Sequence, residues 1–148
     1  MVTGQNFIVV LGFESSDPGA YGRLVRAQDG SLDAIVEAKD ATPGQRDITL
    51  CNSGVMLIDG GHLWDLLARV GDTNAKGEYY LTDIVALARA DGLGCAVVTG
   101  DEAELLGIDD RADLACAEAY VQNQLRLAAM RGGATLLDPN SVYFSFDT

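Results

Sequence analysis

The sequence predicts an α/β fold, with a mixed sheet and flanking helices, that ends in a long helix. Three observations support this fold class. Short β-rich apolar runs, separated by turn-forming residues, fill the first part of the chain. Apolar residues at helical spacing then alternate with one further β-rich run. Residues 110–131 form an amphipathic segment of about six helical turns. Strands that alternate with helices are typical of α/β domains.

The first elements are predicted to be strands. Residues 7–13 are apolar and rich in Val, and residues 17–19 contain the turn-forming pair Pro18-Gly19. Residues 23–27 and 33–38 flank Asp29-Gly30, which is a strong hairpin signal.

A short helix and a longer strand follow. Thr42 before Pro43 predicts an N-cap and a helix of one or two turns. Residues 48–58 are apolar and predict a strand that is broken near Ser53 and Gly54.

Helical spacing dominates the remainder of the chain. It predicts helices at 62–70, ended by Gly71, at 80–90 and at 110–131. Residues 95–99 predict a strand between the last two helices, and residues 134–137 predict a final strand. The stripe predicted to be apolar on the long helix consists of Leu114, Ala117, Val121, Leu125 and Ala128.

Composition limits the classes of partner. The chain has 148 residues, a net charge of −12 and only ten Lys and Arg residues. Nucleic acid and anionic membranes are therefore not expected to bind it. The same charge disfavours unaided binding of a nucleoside triphosphate, so a phosphate site would need Mg²⁺ or cations from elsewhere.

The three cysteines predict no disulfide framework and no metal site. Cys51, Cys95 and Cys116 lack metal-ligand spacing, and each lies in an apolar context that predicts a small buried side chain. The N-terminus has no basic segment, and no apolar run approaches the length of a membrane span. The expected location is the cytoplasm, with no membrane partner.

Four uncommon strings follow one another in a fixed order. They are DPGAYGRLV at 17–25, IVEAKDATP at 35–43, CNSGVM at 51–56 and NAKGEYYLTD at 74–83. Together they resemble the bacterial bifunctional N-acetylglucosamine-1-phosphate uridylyltransferase/glucosamine-1-phosphate acetyltransferase. The resemblance covers nearly the whole chain and only the second half of that family's uridylyltransferase domain. It implies a partial nucleotidyltransferase domain over 1–148, the sugar-binding half of a nucleotide-diphospho-sugar transferase fold, with its long C-terminal helix at about 110–131.

The resemblance also implies a reaction. N-acetylglucosamine 1-phosphate and UTP would form UDP-N-acetylglucosamine and pyrophosphate, a step toward peptidoglycan and lipopolysaccharide precursors of the cell envelope. The family's triphosphate-binding loop and hexapeptide repeats are not visible here, so the chain alone is expected to be inactive and to need a separate nucleotide-binding half. One alternative is a non-catalytic fragment that binds a sugar nucleotide or pairs with such a half, and another is a truncated gene product without function. The sheet edge that would meet the nucleotide-binding half is expected to be left open in this chain, at residues 7–10.

Three residues allow either a structural or a ligand-binding role from their sequence context alone. Gly22 enters a strand, which marks either a turn exit or a close approach of backbone or ligand. Glu37 interrupts an apolar strand, so it either faces water or accepts hydrogen bonds in a cleft. Asn52 lies in an apolar run, where its amide is either satisfied within a bulge or available to a ligand.

The resemblance assigns these positions to substrate. It implies that the Gly22 backbone and the Asn52 side chain contact the sugar nucleotide and that Glu37 accepts hydrogen bonds from sugar hydroxyls. Tyr80 and Thr82 would line the pocket. Lys39 is expected to share the face of Glu37, where it would support that carboxylate or reach a phosphate.

Two acidic residues complete the predicted substrate-binding set, and no catalytic side chain is expected. Glu78 would bond the acetamido group, although its place at a predicted helix start explains it equally. Asp109 occupies the place of a family asparagine that completes an Mg²⁺ site, and aspartate is a good ligand for that ion. The alternative is that Asp109 or Asp110 caps the long helix, with Asp113 completing a capping box. His62, the only histidine, is expected at a helix end.

Overall fold

The computed structural model describes residues 6–145 and residue 147. The chain divides into two compact units, Met1–Leu105 and Leu106–Thr148.

The first unit is built on a five-stranded mixed sheet. Its strand order is β3-β2-β4-β1-β5, in which β5 runs parallel to β1 and the other neighbours are antiparallel. The strands are β1 (Asn6–Glu14), β2 (Arg23–Arg26), β3 (Leu32–Val36), β4 (Leu50–Ile58) and β5 (Gly94–Thr99). The predicted α/β class, the mixed sheet and the β2–β3 hairpin are confirmed.

Five helices and one 3₁₀ turn accompany the described strands. The helices are α1 (Pro43–Arg46), α2 (Gly60–Leu67), α3 (Asp83–Ala90), α4 (Glu102–Leu105) and α5 (Arg111–Arg131), and the 3₁₀ turn is Pro139–Ser141. The Thr42 N-cap is confirmed, since its side chain accepts a hydrogen bond from the Gln45 N–H. Helix α4 was not predicted.

The core of the first unit lies between the sheet and helices α2 and α3. Ile8 and Val10 of β1 are fully buried in one cluster with Leu66 of α2 and Ile84 of α3. Strand alternation explains this face, because every second side chain points the same way. The same alternation leaves Leu57 of β4 74% exposed on the opposite face.

The position of the first strand corrects one prediction. Residues 7–10 were expected at an open edge, but β1 lies between β4 and β5, and Ile8 and Val10 have no exposed surface. An apolar, uncharged run is as suitable for a buried interior strand as for an edge. The edges of the sheet are β3 and β5.

Strand β4 is bulged rather than broken. It runs without interruption through Ser53 and Gly54, and the pairing with β1 shifts register there. Gly54 has φ of +84°, which favours glycine. The Ser53 hydroxyl donates to the carbonyl oxygen of Leu11 at 2.6 Å, which ties the bulge to β1.

Several predicted boundaries are wrong. Helix α2 ends at Leu67 rather than near residue 70, and Gly71 is not its cap. Helix α3 begins at Asp83, three residues later than the spacing predicted. Residues 134–137 form no strand, and Leu137 is 98% exposed.

The second unit consists of α5 and an extended segment that returns along it. Two polar side chains of the helix are buried, Gln122 and Arg126. The Gln122 amide exchanges two 2.8 Å hydrogen bonds with the backbone of Phe144. Arg126 Nε donates to the carbonyl oxygen of Val142 at 2.8 Å. The predicted apolar stripe is not what this helix buries, since Leu114 is 54% exposed.

Helix α5 begins with a capping box, as predicted. Asp110 Oδ1 accepts hydrogen bonds from the N–H groups of Ala112 at 2.7 Å and Asp113 at 3.0 Å. The Asp113 carboxylate in turn accepts from the N–H of Asp110. Asp110, and not Asp109, is therefore the N-cap residue.

Asp110→Ala is expected to lower the stability of the first turn of α5 by about 1 kcal/mol, because two backbone donors lose their acceptor. Hydrogen exchange of the Ala112 and Asp113 amides measures the change. Asp109→Ala, the neighbouring carboxylate, is the matched control and should leave that exchange within about 0.5 kcal/mol of wild type. Equal effects of the two variants would contradict the cap assignment.

The cysteines are free thiols. Cys51 and Cys95 are buried, and burial raises the pKa of both thiols. Cys116, predicted to be buried, is exposed on α5. No helix of the described residues is both long and apolar enough to cross a bilayer.

Candidate functional site

The sequence predicted Glu37 within a strand at residues 33–38. In the structure Glu37 lies immediately after β3, which ends at Val36. The chain turns there, since the N–H of Asp40 donates to the carbonyl oxygen of Glu37 at 2.9 Å. The side chain is half-buried. Leaving the sheet at this point turns the carboxylate toward the segment that precedes α3.

Thr82 holds the Glu37 carboxylate in place. Its hydroxyl donates to Glu37 Oε1 at 3.2 Å. Thr82 stands at the N-cap position of α3, where a threonine hydroxyl normally accepts a backbone hydrogen bond. Here it makes no such bond, and the residue is buried. The hydroxyl is therefore committed to Glu37 rather than to its own helix.

Gly22 also lies beside this carboxylate. A Cβ atom on Gly22 would lie 3.5 and 3.6 Å from the two Glu37 oxygens and 3.3 Å from Ile35 Cγ2. The Gly22 carbonyl oxygen accepts from the N–H of Asn52 at 2.8 Å. The absence of a side chain thus leaves backbone directly beside the carboxylate.

Tyr80 contributes a buried hydroxyl that has no hydrogen-bond partner among the described residues. Burial raises the pKa of the phenol, and the charges of Asp40, Glu78, Glu37 and Asp83 raise it further. The phenol therefore stays protonated at neutral pH. A protonated, unpaired hydroxyl can donate to a ligand.

Two cavities meet at Glu37 and Tyr80. The larger, of about 280 Å³, is also lined by Asp40, Asn74 and Asp83, and the smaller, of about 100 Å³, by Ala20, Ala38, Lys39 and Lys76. The larger is close to the roughly 300 Å³ lower bound typical of small-molecule sites. Its wall is acidic, and burial together with the charge of Asp40 raises the pKa of Asp83.

The loop that supplies Asn74 is internally tied. Asn74 Oδ1 accepts from the N–H groups of Lys76 at 3.1 Å and Glu78 at 3.2 Å. Asp40 Oδ1 accepts from the N–H of Ala75 at 2.8 Å, which links this loop to the turn after β3. Sequence reasoning singled out neither Asn74 nor Asp40. The sequence signal for both residues was their place in the motif strings, at 35–43 for Asp40 and at 74–83 for Asn74.

Glu78 is exposed and lies in an irregular segment five residues before α3 begins. The helix-start explanation for this residue is therefore wrong. Its carboxylate is 3.8 Å from Lys76 Nζ. Lys39 lies in the turn after β3, so strand alternation does not explain its place beside Glu37.

Asn52 joins the site through its backbone. Its side-chain Oδ1 accepts from the N–H of Gly54 at 3.0 Å, inside the β4 bulge. This is the satisfied bulge asparagine that the sequence allowed as one alternative. The residue lines neither of the two cavities.

Asp109 belongs to the second unit and is exposed. Its N–H donates to Asp113 Oδ2 at 3.1 Å. Within residues 6–145 and 147, no three His, Cys, Asp or Glu side chains gather in a metal-binding group. His62 is exposed near the start of α2, as expected, with its ring edge-on to Phe7 at 4.9 Å.

No protein-family model matches the chain. It is 65% identical over 141 residues to the Bifunctional protein GlmU of Paramagnetospirillum magneticum and 62% identical over 141 residues to that of Rhodospirillum rubrum. Each match covers 95% of this chain and 31% of the relative. The relative of the same name in Hyphomonas neptunium is 55% identical over 139 residues. The chain thus spans about a third of the length of the curated relatives it matches.

Proposed function

We propose that this chain is the sugar-binding part of a UTP-dependent N-acetylglucosamine-1-phosphate uridylyltransferase. The complete enzyme would form UDP-N-acetylglucosamine and pyrophosphate for cell-envelope precursors. The motif strings and the relatives named Bifunctional protein GlmU, up to 65% identical, support the family. The assignment to the sugar side rests on the geometry around one carboxylate.

The observation that carries the proposal is the placement of Glu37. Its carboxylate is fixed by the Thr82 hydroxyl, adjoins the bare backbone of Gly22 and opens on the cavities beside Tyr80. A fixed carboxylate accepts hydrogen bonds strongly, and adjacent sugar hydroxyls are donors that suit it. Whereas Glu37 accepts hydrogen bonds, the unpaired Tyr80 hydroxyl can donate one to a carbonyl or ring oxygen.

These groups act by position rather than by covalent chemistry. In the proposed reaction an oxygen of the sugar 1-phosphate attacks the α-phosphorus of UTP, and the bond to the pyrophosphate leaving group breaks. Such transfers depend on orientation and on neutralisation of charge. Glu37, Gly22, Tyr80 and Thr82 would orient the sugar, while the triphosphate contacts come from polypeptide other than these 148 residues.

Asp109 is the residue of this chain that would hold Mg²⁺. An exposed carboxylate fits that ion, which takes one or two protein carboxylates and completes its shell with water and substrate phosphates. Bound there, Mg²⁺ would neutralise phosphate charge. Since the chain carries a net charge of −12, a phosphate site on it would need Mg²⁺ or cations from elsewhere.

The purified 148-residue chain is expected to bind UDP-N-acetylglucosamine in the presence of Mg²⁺ without turning over UTP and N-acetylglucosamine 1-phosphate. Calorimetry measures the binding, and pyrophosphate release measures the turnover. Turnover in the usual range of roughly 1–10³ s⁻¹ would contradict the proposal that other polypeptide supplies the triphosphate contacts. Absence of binding would overturn the sugar-side assignment.

Complementation separates an enzyme part from a binding-only fragment. The purified chain would be mixed with the triphosphate-binding half of a relative's uridylyltransferase domain. Pyrophosphate release by the mixture and by neither component alone would support the enzyme part. Binding that persists without any release from the mixture would favour the non-catalytic alternative.

A further inference from the structure

Arg23 is the first residue of β2 and is almost entirely buried, with 4% of its surface exposed. Its guanidinium binds the loop that leads into Gly22. Nη1 donates to the carbonyl oxygens of Pro18, at 3.3 Å, and of Tyr21, and Nη2 donates to that of Gly19 at 3.1 Å. One side chain therefore gathers three backbone acceptors.

No carboxylate among residues 6–145 and 147 forms an ion pair with this guanidinium. Its buried Nε makes no hydrogen bond with those residues. A buried charge is stabilised by a counter-ion or by dipoles aimed at it. Here the dipoles are backbone carbonyls, so the loop conformation and the buried charge stabilise each other.

The contact with Tyr21 determines the direction of a donor. The Tyr21 carbonyl and the Gly22 N–H belong to one peptide unit, and that unit is trans. In a planar trans peptide the N–H points away from the C=O. Since Arg23 holds the carbonyl, the Gly22 N–H points away from the guanidinium. No hydrogen bond in the described part of the chain uses this N–H.

Two further contacts fix the ends of the same loop. The Tyr21 ring packs edge-on against Phe13 of β1 at 5.0 Å, and the Tyr21 N–H donates to the Pro18 carbonyl at 3.1 Å. In the next peptide unit, the carbonyl oxygen of Gly22 accepts a hydrogen bond from the N–H of Asn52. Both peptide units that flank Gly22 are thus oriented, one by Arg23 and the other by β4.

We propose that Arg23 is a positioning residue for the sugar ligand: its three carbonyl contacts orient the Gly22 N–H as a backbone donor beside the Glu37 carboxylate. This inference rests on the proposed function. Arg23 itself would not touch the ligand. Lysine would keep the charge, but it lacks the planar fork that reaches separate acceptors at once.

Arg23→Lys is the test, made in the 148-residue chain. We expect hydrogen exchange of the Tyr21 amide to rise at least about tenfold while that of Val10 is unchanged, because the loop loosens and β1 does not. Affinity for UDP-N-acetylglucosamine should fall by about tenfold. Arg26→Lys, an exposed arginine on the same strand, is the matched control and should change neither quantity.

Double variants show whether Arg23 acts through Gly22. Combined with Gly22→Ala, Arg23→Lys should weaken binding by less than about twofold further, since the donor is already displaced. Combined with Thr82→Val, it should weaken binding by the full factor. Equal losses in both backgrounds would overturn the inference, because a general loss of structure behaves in that way.

The two proposals fail differently. A wild-type chain that binds no UDP-N-acetylglucosamine overturns the proposed function and the inference together. A wild-type chain that binds, with Arg23→Lys binding equally well, overturns the inference alone. Rescue is a third measure: Arg23→Lys should retain more affinity than Arg23→Ala, because the cation can still satisfy one carbonyl.

Discussion

Glu37→Gln is expected to weaken binding of UDP-N-acetylglucosamine by the 148-residue chain by roughly 10- to 100-fold. The amide keeps the size of the side chain and removes its charge. Hydrogen bonds to a charged group contribute about 1.5–3 kcal/mol, and about 1.4 kcal/mol corresponds to a factor of ten in affinity. The Thr82 hydroxyl would still have an acceptor, so the fold should be unaffected.

Calorimetric titration of wild type and variant measures the effect. Asp33→Asn is the matched control, because Asp33 is an exposed carboxylate on β3 whose ion pair with Arg89 is 3.6 Å long. Exposed pairs contribute little, so its affinity should equal that of wild type. A Glu37→Gln chain that binds as tightly as Asp33→Asn would exclude the carboxylate from the site.

The second large effect is on stability. Gly12→Ala is expected to lower the free energy of unfolding by about 3 kcal/mol, at the upper end of the usual range for overpacking. The new Cβ atom would lie 2.5 Å from Leu24 Cδ1 and 2.8 Å from the carbonyl oxygen of Cys51. Leu24 is buried, which limits how far its side chain can shift, and Cys51 O is backbone of β4, so relief of that contact requires movement of the strand.

Urea unfolding of both proteins measures this loss. Gly44→Ala is the matched control, since a Cβ atom on Gly44 in helix α1 meets nothing within 4 Å. Alanine is the better helix former, so the control should be neutral or stabilising by up to about 1 kcal/mol. If Gly12→Ala unfolds at the same urea concentration as its control, the close approach of β1, β2 and β4 at Gly12 is wrong.

Part of the candidate site could be predicted from the motif strings. Glu37, Thr82 and Gly22 were singled out individually, and the structure brings these three together. The unpaired hydroxyl of Tyr80 and the loop contacts of Asn74 were beyond sequence reasoning, because hydrogen-bond satisfaction depends on atoms distant in the chain. The link between Thr82 and Glu37 joins residues 45 positions apart, and no local pattern encodes it.

By itself the sequence determined several of the local elements. Asp29-Gly30 predicted the β2–β3 hairpin, and Thr42-Pro43 and Asp110 with Asp113 predicted two helix starts, because turn and cap chemistry is contained within a few residues. The tertiary structure alone decided that residues 7–10 lie inside the sheet and that Gln122 and Arg126, rather than an apolar stripe, are buried on α5. Strand order and the partners of buried polar groups are set by contacts between distant segments, whose energies no local pattern records.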